Sequence, residues 1–491
     1  MEFVLNGLQF VGILALVVLV FNILIIVHEW GHYLAARWRG LKVEKFQIWF
    51  GKPLWKKEID GVQYGLGSIP AGGFVALPQM APMEMLEGST DENGEPAEPL
   101  PPITPLDKII VAFAGPLFSF GLAVVFACMV WVVGHPVPDS RMTTTIGYVG
   151  KDSPAAEAGL KPGDVVKEVD GHPVDRFNGL VDSVTWYVVA SEGDQIVFDI
   201  ERDGKAMEIP VTPVIEEREY KGVRGWLASL FQRPELRKVG IEAKETPMVG
   251  KLYPNSPAEK AGLEKNDLIV GMNGKPLYSK ADIGAFISEH PGEPLTLEVD
   301  RGGSKLSMEV TPEKPENYER QMLGIQWDVY GKRVLRHPDP ITQVGDSLRT
   351  MVNTLGAVFS PKSNISAGHL SGPAGIMRLY YNLFKHPDGW KMVLWFSVIL
   401  NINLAVLNML PFPVLDGGHI TMATLEAIRR KPINVKVLEV VQTGCALLLI
   451  GFMIFVTMKD AGDMFGGPKV SGDAKASVNT GAPIFSGGGA D

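Results

Sequence analysis

The sequence predicts a multi-domain membrane protein with an α-helical transmembrane core of four spans, a membrane-associated β-hairpin sheet and two extracytoplasmic domains of mixed α+β structure. Three observations predict this class: a length of 491 residues with 46 % hydrophobic residues, four long apolar runs, and an internal repeat between the second and third runs. A net charge of −9 argues against nucleic acid as a partner, because phosphate binding needs a basic face. The two cysteines lie in apolar runs and predict no disulfide framework.

The first apolar run, at about 5–27, leads directly into a His-Glu-Trp-Gly-His motif that starts at His28 and ends at His32. On a helix, this spacing places two imidazoles on one face, where both can bind a single Zn²⁺, and the intervening Glu29 is placed to act on water at the metal. The run is long enough to cross a hydrocarbon core of roughly 30 Å, and ionisable groups at such a position indicate function. We therefore predict a hydrolytic zinc site at the end of a retained transmembrane helix.

The other three apolar runs lie at about 109–134, 391–411 and 435–458. Lysine and arginine residues cluster after the first run and between the third and fourth runs, so the positive-inside rule places both connections in the cytoplasm. With four spans, both termini and the long segment between spans two and three are then expected outside the cytoplasm. The metal site is expected near the cytoplasmic face.

Residues 41–77 follow the first span and have strand-like alternation, with an Asp-Gly hairpin-turn signal before the strand Val62–Leu66. Gly72 and Gly73 allow another backbone to approach closely. We expect an edge of this sheet, around Val62–Leu66, to bind a substrate segment that has unwound from a helix, as an added strand. Gly72 and Gly73 are predicted substrate-binding residues. The acidic, Pro- and Gly-rich segment that follows is expected to be a flexible loop.

An internal repeat occupies the segment between spans two and three. Residues 153–160 read Ser-Pro-Ala-Ala-Glu-Ala-Gly-Leu, residues 256–263 read Ser-Pro-Ala-Glu-Lys-Ala-Gly-Leu, and the match continues without a gap. The pattern resembles PDZ domains of the bacterial type, which implies two such domains and peptide binding by strand addition. Ile241 and Ile325, each preceded by an apolar residue and glycine, are candidate binding residues. The alternative is that these glycines only end strands.

Apolar residues at three- and four-residue steps predict an amphipathic helix over 338–360, either on the membrane surface or packed on a PDZ domain. A Gly-, Ser- and Ala-rich composition predicts a disordered tail over 460–491. The remaining predicted divisions are 1–36 (first span with the zinc motif), 37–78 (hairpin region), 79–106 (acidic loop), 107–135 (second span), 140–243 and 244–330 (PDZ domains), 388–416 (third span with an aspartate ligand) and 433–459 (fourth span).

A third ligand is needed, because catalytic zinc sites usually have three protein ligands and a water. Asp416 lies in Leu-Asp-Gly-Gly after two prolines, on the same side and at the same depth of the membrane as His28 and His32. An aspartate near a span end is often a solvated cap, and His419 is a rival ligand. The prolines, which unwind the helix, and the paired glycines favour Asp416.

Four motifs occur in a fixed order: His-Glu-x-x-His at the end of the first span, Ile-Pro-Ala-Gly-Gly-Phe-Val at 69–75, Leu-Ser-Gly-Pro at 370–373, and Asn-x-x-Pro-x-Pro-Val-Leu-Asp-Gly-Gly at 408–418. With the tandem PDZ domains they resemble the site-2 protease family of intramembrane zinc metalloproteases. The resemblance implies one zinc ion bound by the two motif histidines and the aspartate, with the motif glutamate as the base. It also implies that Asn403 and Asn408 hold substrate or order the site.

The resemblance further implies cleavage of transmembrane segments of single-span membrane proteins, such as anti-sigma factors and remnant signal peptides, in the bacterial inner membrane. Termini and PDZ domains are then periplasmic, and peptide C-termini are possible PDZ ligands. One departure is Ser119, where the family often has asparagine; this puts a minor polar contact of span two in doubt.

Two other classes remain open. One is a membrane-anchored PDZ receptor with a structural or degenerate metal site, against which the intact Glu29 argues. The other is a soluble-type zinc protease tethered to a membrane, whose active site should lie beside the outer domains, whereas the charge pattern predicts the opposite side.

Overall fold

The computed structural model describes residues 2–80, 103–216, 229–329, 331–431, 435–465 and 482–485. The chain divides into two compact units. The first contains Met1–His135, His337–Met351 and Leu370–Asp463, and the second contains Pro136–Arg336, Val352–His369 and Met464–Asp491. Each unit has its own buried apolar clusters.

The helices and strands are numbered here in chain order. The helices are α1 (Glu2–Trp38), α2 (Pro105–Val133), α3 (Pro154–Ala158), α4 (Val184–Ala190), α5 (Pro257–Lys260), α6 (Lys280–Glu289), α7 (Pro340–Phe359), α8 (Pro373–Phe384), α9 (Gly389–Asn408), α10 (Asp416–Arg429) and α11 (Val435–Phe465). The strands are β1 (Lys45–Phe50), β2 (Trp55–Ile59), β3 (Val62–Leu66), β4 (Ile69–Ala76), β5 (His135–Pro138), β6 (Ile146–Val149), β7 (Val165–Val169), β8 (His172–Pro173), β9 (Ile196–Arg202), β10 (Lys205–Val211), β11 (Ile241–Ala243), β12 (Val249–Leu252), β13 (Leu268–Met272), β14 (Lys275–Pro276), β15 (Leu295–Arg301), β16 (Ser304–Val310), β17 (Ile325–Trp327) and β18 (Arg333–Arg336).

Four of the described helices are long and apolar enough to cross a membrane. They are Leu5–Trp38, Pro105–Val133, Gly389–Asn408 and Val437–Met464, and they coincide with the four apolar runs of the sequence. The third differs from the prediction, because its helix ends at Asn408 and does not reach Asp416. Pro411 and Pro413 cannot continue the helix, so Asp416 instead opens the separate helix α10.

The sheet after α1 has the strand order β2-β3-β1-β4. Asp60 and Gly61, with φ of 51° and 74°, form the predicted tight turn between β2 and β3. However, β3 also pairs in parallel with β1, so the strand Val62–Leu66 is interior. The prediction that this strand forms the edge is therefore wrong, and the edges are β2 and β4. The parallel pairing is non-local and leaves no periodic signal in the sequence.

The two sequence repeats fold with the same order of elements. Their four-stranded sheets have the orders β10-β9-β7-β8 and β14-β13-β15-β16, and two-stranded sheets β11-β6 and β12-β17 accompany them. In each repeat a buried aspartate accepts hydrogen bonds from an arginine at the end of a sheet strand: Asp164 from Arg202 Nε at 2.6 Å, and Asp267 from Arg301 Nε at 2.8 Å. The repetition is therefore structural as well as sequential. We call residues 140–243 the first repeat and residues 244–330 the second repeat.

Two other predicted segments can be compared with the structure. The predicted amphipathic helix is α7, which buries Gln343, Ser347 and Met351 and leaves Ile341 85 % exposed. The expected tail differs more, because α11 continues to Phe465 and residues 482–485 contact the second repeat. Most of the predicted acidic loop and the rest of the tail lie outside the described residues.

Candidate metal centre

Three potential metal ligands converge where α1 meets the start of α10. His28 Nε2 lies 3.3 Å from Asp416 Oδ2, His32 Nε2 lies 3.5 Å from Asp416 Oδ1, and the two Nε2 atoms lie 3.3 Å apart. All three residues are buried. Among the described residues, His28, His32 and Asp416 form the group of His, Cys, Asp or Glu side chains that could hold a metal ion.

The hydrogen bonds of the imidazoles define which atoms face the centre. His32 Nδ1 lies 2.8 Å from the carbonyl oxygen of Val111, which can only accept, so Nδ1 carries the proton and Nε2 presents its lone pair. His28 Nδ1 is held at 3.0 Å by Ser119 Oγ. Asp416 Oδ2 is buried and accepts no hydrogen bond. Lone pairs that converge in this way repel one another unless a cation lies between them.

The spacing of the three ligand atoms fits zinc. In tetrahedral coordination with zinc–nitrogen distances of about 2.0–2.1 Å, neighbouring ligand atoms are about 3.3 Å apart. The separations of 3.3–3.5 Å agree with that value. Two imidazoles and one carboxylate are also a donor set typical of catalytic zinc.

Glycines explain how the helices approach closely enough to build the centre. A Cβ on Gly31 would overlap the carbonyl oxygen of Ala114, and a Cβ on Gly115 would overlap His32 Nε2. A Cβ on Gly417 would likewise overlap a carbonyl oxygen of the loop before α10. The glycines Gly31, Gly115 and Gly417 are therefore needed for space around the three potential ligands.

Glu29 lies beside the edge strand β4. A Cβ placed on Gly73 would be 3.6 Å from Glu29 Cγ and 3.4 Å from Ile25 Cγ2, so β4 passes next to the glutamate. Gly72 has a φ of 73°, and a side chain there would overlap the ring of Phe50. The two predicted glycines thus lie in the strand that is both an edge of the sheet and adjacent to Glu29.

The other predicted site residues are placed as follows. Asn408 Nδ2 is 3.4 Å from His28 Nε2, at the centre itself. Asn403, on the same helix, has a buried Oδ1 without a hydrogen bond. Ile241 and Ile325 belong to the second unit, where they pair with Val149 and Leu252 in their two-stranded sheets.

His419, the rival ligand, is buried but does not belong to the three-ligand group. Burial lowers its pKa to about 4 against the raising effect of the Asp416 carboxylate, and His32 and Lys108 add smaller lowering effects. Its imidazole is therefore neutral at ordinary pH.

Ser119, which the sequence predicted to be only a minor polar contact of span two, contacts the candidate metal centre. This side chain is fully buried and is the hydrogen-bond partner of His28. Val111, Gly115 and Ser119 are spaced by four residues on α2, so they lie on one face of that helix. Two of them hold the histidine rings through Nδ1, and Gly115 leaves space for His32. The four-residue spacing of these residues around Ala114-Gly115-Pro116 is the sequence signal that could have identified the role of Ser119.

Comparison with known proteins supports the same class of site. The family model described as peptidase family M50 matches residues 16–452, and the chain belongs to this family, the site-2 proteases. It is a zinc metalloprotease. The chain is 28 % identical to the regulator of sigma-E protease RseP of Escherichia coli, over 92 % of this chain and 99 % of that protein. It is 29 % identical to a Neisseria meningitidis protein named as a zinc metalloprotease, over 89 % of this chain and 96 % of that protein.

One solved structure that matches is a PDZ domain of an SdrC-like protein from Listeria monocytogenes. It covers 17 % of this chain and 86 % of that domain, with 18 % identity and a TM-score of 0.16. A score this low does not establish a shared fold.

Proposed function

We propose that this chain is an intramembrane protease that cuts transmembrane segments of single-span membrane proteins. The observation that carries the proposal is the position of the ligand group: His28 and His32 lie near the end of a helix apolar enough to span a membrane. Their partner Asp416 begins the helix that follows another such span. A hydrolytic centre formed there is close to peptide bonds that are otherwise protected by the bilayer.

In this proposal His28, His32 and Asp416 hold one zinc ion, and Glu29 is the general base. When bound, zinc supplies Lewis acidity, which lowers the pKa of water toward about 7 and polarises the scissile carbonyl. Glu29 accepts the proton of the attacking water and later donates it to the leaving amine. Ser119 and the Val111 carbonyl oxygen fix the ring orientations, as is typical of groups around metal-bound histidines.

A helical substrate must unwind before hydrolysis, because its carbonyls are otherwise engaged in i→i−4 hydrogen bonds. The edge strand β4 offers unpaired backbone groups next to Glu29, and an extended substrate segment can pair with it. Asn403 and Asn408 have side-chain atoms that can satisfy substrate backbone groups freed by unwinding, each of which otherwise costs several kcal/mol in lipid. This assigns substrate positioning to β4 and α9.

The two repeats are proposed to be periplasmic PDZ domains, on the side of the inner membrane that also carries both termini. This placement rests on the positive-inside pattern and on four spans. Relatives named as regulators of sigma-E protease make anti-sigma-factor-like membrane proteins the first substrate class to test. Remnant signal peptides are a second class of the same chemistry, an apolar helix with a short outer end.

The experiment is cleavage of one single-span substrate by the purified chain in detergent, with and without the substrate's outer domain. Cleavage within the span by the wild type, loss of cleavage in Glu29→Gln, and equal zinc content in both support the proposal. Zinc binding without cleavage of either substrate would favour the membrane-anchored receptor. Glu58→Gln, on the exposed strand β2, is the matched control and is expected to cleave normally.

A further inference from the structure

The segment Ala482–Phe485 is bound to the second repeat. Phe485 is only 5 % exposed and Pro483 is buried, whereas Ile484 between them is 55 % exposed. A phenylalanine buried within a run of glycine, serine and alanine needs a pocket elsewhere in the chain. This alternation of buried and exposed side chains is that of an extended peptide lying on a surface.

The pocket is formed at the loop before β17. A Cβ on Gly324 would lie 2.8 Å from Phe485 Cε2 and 3.0 Å from its Cζ, and would also overlap Ser256. The φ of Gly324 is 74°, which favours glycine. The aromatic ring therefore packs on a bare stretch of backbone beside Ser256 at the start of α5.

Backbone hydrogen bonds hold the rest of the segment. The N–H of Glu316 donates to the Ile484 carbonyl oxygen at 2.9 Å, and the N–H of Ile484 donates to Asn317 Oδ1 at 2.8 Å. Asn317 Nδ2 in turn donates to the Ala482 carbonyl oxygen at 2.8 Å. These contacts involve only the backbone of the segment, so selection by side chain falls to the buried positions Pro483 and Phe485.

The first repeat provides an internal comparison. Its corresponding glycine, Gly240, has a φ of 83° and faces Ser153 in the way that Gly324 faces Ser256. The three atoms nearest to a Cβ on Gly240 all belong to Ser153, with no aromatic ring among them. Among the described residues, the nearest neighbours of this glycine therefore include an aromatic ring in the second repeat but not in the first.

We propose that Ala482–Phe485 is an exchangeable occupant in cis of the Gly324 pocket, which accepts an aromatic side chain within an extended, uncharged segment. This inference rests on the proposed role of the second repeat as a peptide-binding PDZ domain. The site accepts an internal residue, because residues 486–491 follow Phe485. In the proposed topology of four spans, the repeats and the end of the fourth span lie on the same side of the membrane. Tethering of this kind gives effective concentrations on the order of mM, so free peptides compete only when they bind well.

The test uses the full chain in detergent and a fluorescent synthetic peptide with the sequence of residues 480–488. The peptide is expected to bind Phe485→Ala at least about tenfold more tightly than the wild type, because the tethered competitor is removed. Ile484→Ala, which removes an exposed side chain, is expected to bind like the wild type. Equal affinities for the wild type and Phe485→Ala, or no binding to either, would overturn the proposal.

The location is tested in the Phe485→Ala background. Gly324→Ala is expected to abolish peptide binding, whereas Gly240→Ala carries the same backbone strain in the first repeat and is expected to retain it. Equal effects of both substitutions would place the peptide elsewhere and overturn the assignment. Hydrogen exchange at the Glu316 amide gives an independent readout: protection in the wild type, loss in Phe485→Ala, and recovery with saturating peptide. Unchanged exchange in all three states would also contradict the proposal.

Discussion

Ser119 Oγ lies 3.0 Å from His28 Nδ1, and both side chains are buried. This contact connects α2 to His28 of α1, a proposed metal ligand, through the ring nitrogen that does not face the centre. Since the bonded nitrogen is Nδ1, the contact orients Nε2 toward Asp416. The hydroxyl of a single serine therefore controls the direction of one ligand lone pair.

Ser119→Ala is expected to lower zinc affinity or turnover by about 10- to 100-fold, because the His28 ring loses its hydrogen-bond partner. Competition with a zinc chelator of known affinity measures the first quantity, and cleavage at saturating zinc measures the second. Cys128→Ser, further along the same helix at an exposed position, is the control and should change neither. Unchanged zinc affinity and rate in Ser119→Ala would show that the contact is only packing.

Asp416→Asn is expected to lower zinc affinity by at least about 100-fold, because a neutral amide oxygen is a poorer zinc ligand than a carboxylate. Loss of a ligand should lower the affinity at least as much as loss of a group that only supports a ligand. Zinc content after dialysis gives the result directly. A zinc-loaded variant that cleaves at the wild-type rate would point to His419 as the third ligand. His419→Ala is the paired variant, and it should retain zinc.

A photo-crosslinking residue at position 69, in β4, is expected to capture a bound substrate, whereas one at position 55, in β2, is not. Ile69 and Trp55 are both 54 % exposed and each lies in an edge strand, so accessibility does not distinguish them. What differs is that β4 passes beside Glu29. The measurement is the crosslinked yield with a Glu29→Gln trap, and equal yields at both positions would argue against strand addition at β4.

Removal of residues 140–330 is expected to permit cleavage of substrates that keep a folded outer domain, with no loss of rate on short substrates. The proposed reason is steric: two globular repeats, connected in sequence to the second and third spans, would obstruct a bulky outer domain. The deletion leaves β5 and β18, which pair with each other, so the cut ends remain close. Continued refusal of bulky substrates by the deletion variant would place the selection elsewhere, with α7 as the next candidate. Substitutions of Ile241 and Ile325 should matter less than the deletion.

Much of the site could be predicted from the sequence because its signals are local. The spacing of His28 and His32 follows helix geometry, and the apolar runs mark the spans whatever their neighbours are. Asp416 could be paired with them because charge bias predicts the side of the membrane on which each span ends.

The remaining features depend on contacts between distant segments. The interior position of β3 follows from its parallel pairing with β1, and the binding of Phe485 follows from a pocket more than a hundred residues away in sequence. The helix α8 carries the fully buried Tyr380, whose hydroxyl lies 2.9 Å from Ser397 Oγ. With 12 residues this helix is too short to be recognised in the sequence as a membrane span. Periodicity within one segment reports the face that is buried and not the partner that covers it.

The division of the ligands between α1 and α10 has a consequence for biogenesis. The first span and both histidines leave the ribosome early, while Asp416 is synthesised about 380 residues later, which takes roughly 20–80 s at about 5–20 residues per second. Until then the growing chain has only two of its three ligands in the membrane. In the proposed mechanism a nascent molecule is therefore inert toward neighbouring membrane proteins during insertion, and proteolytic competence arises only after Asp416 has been made.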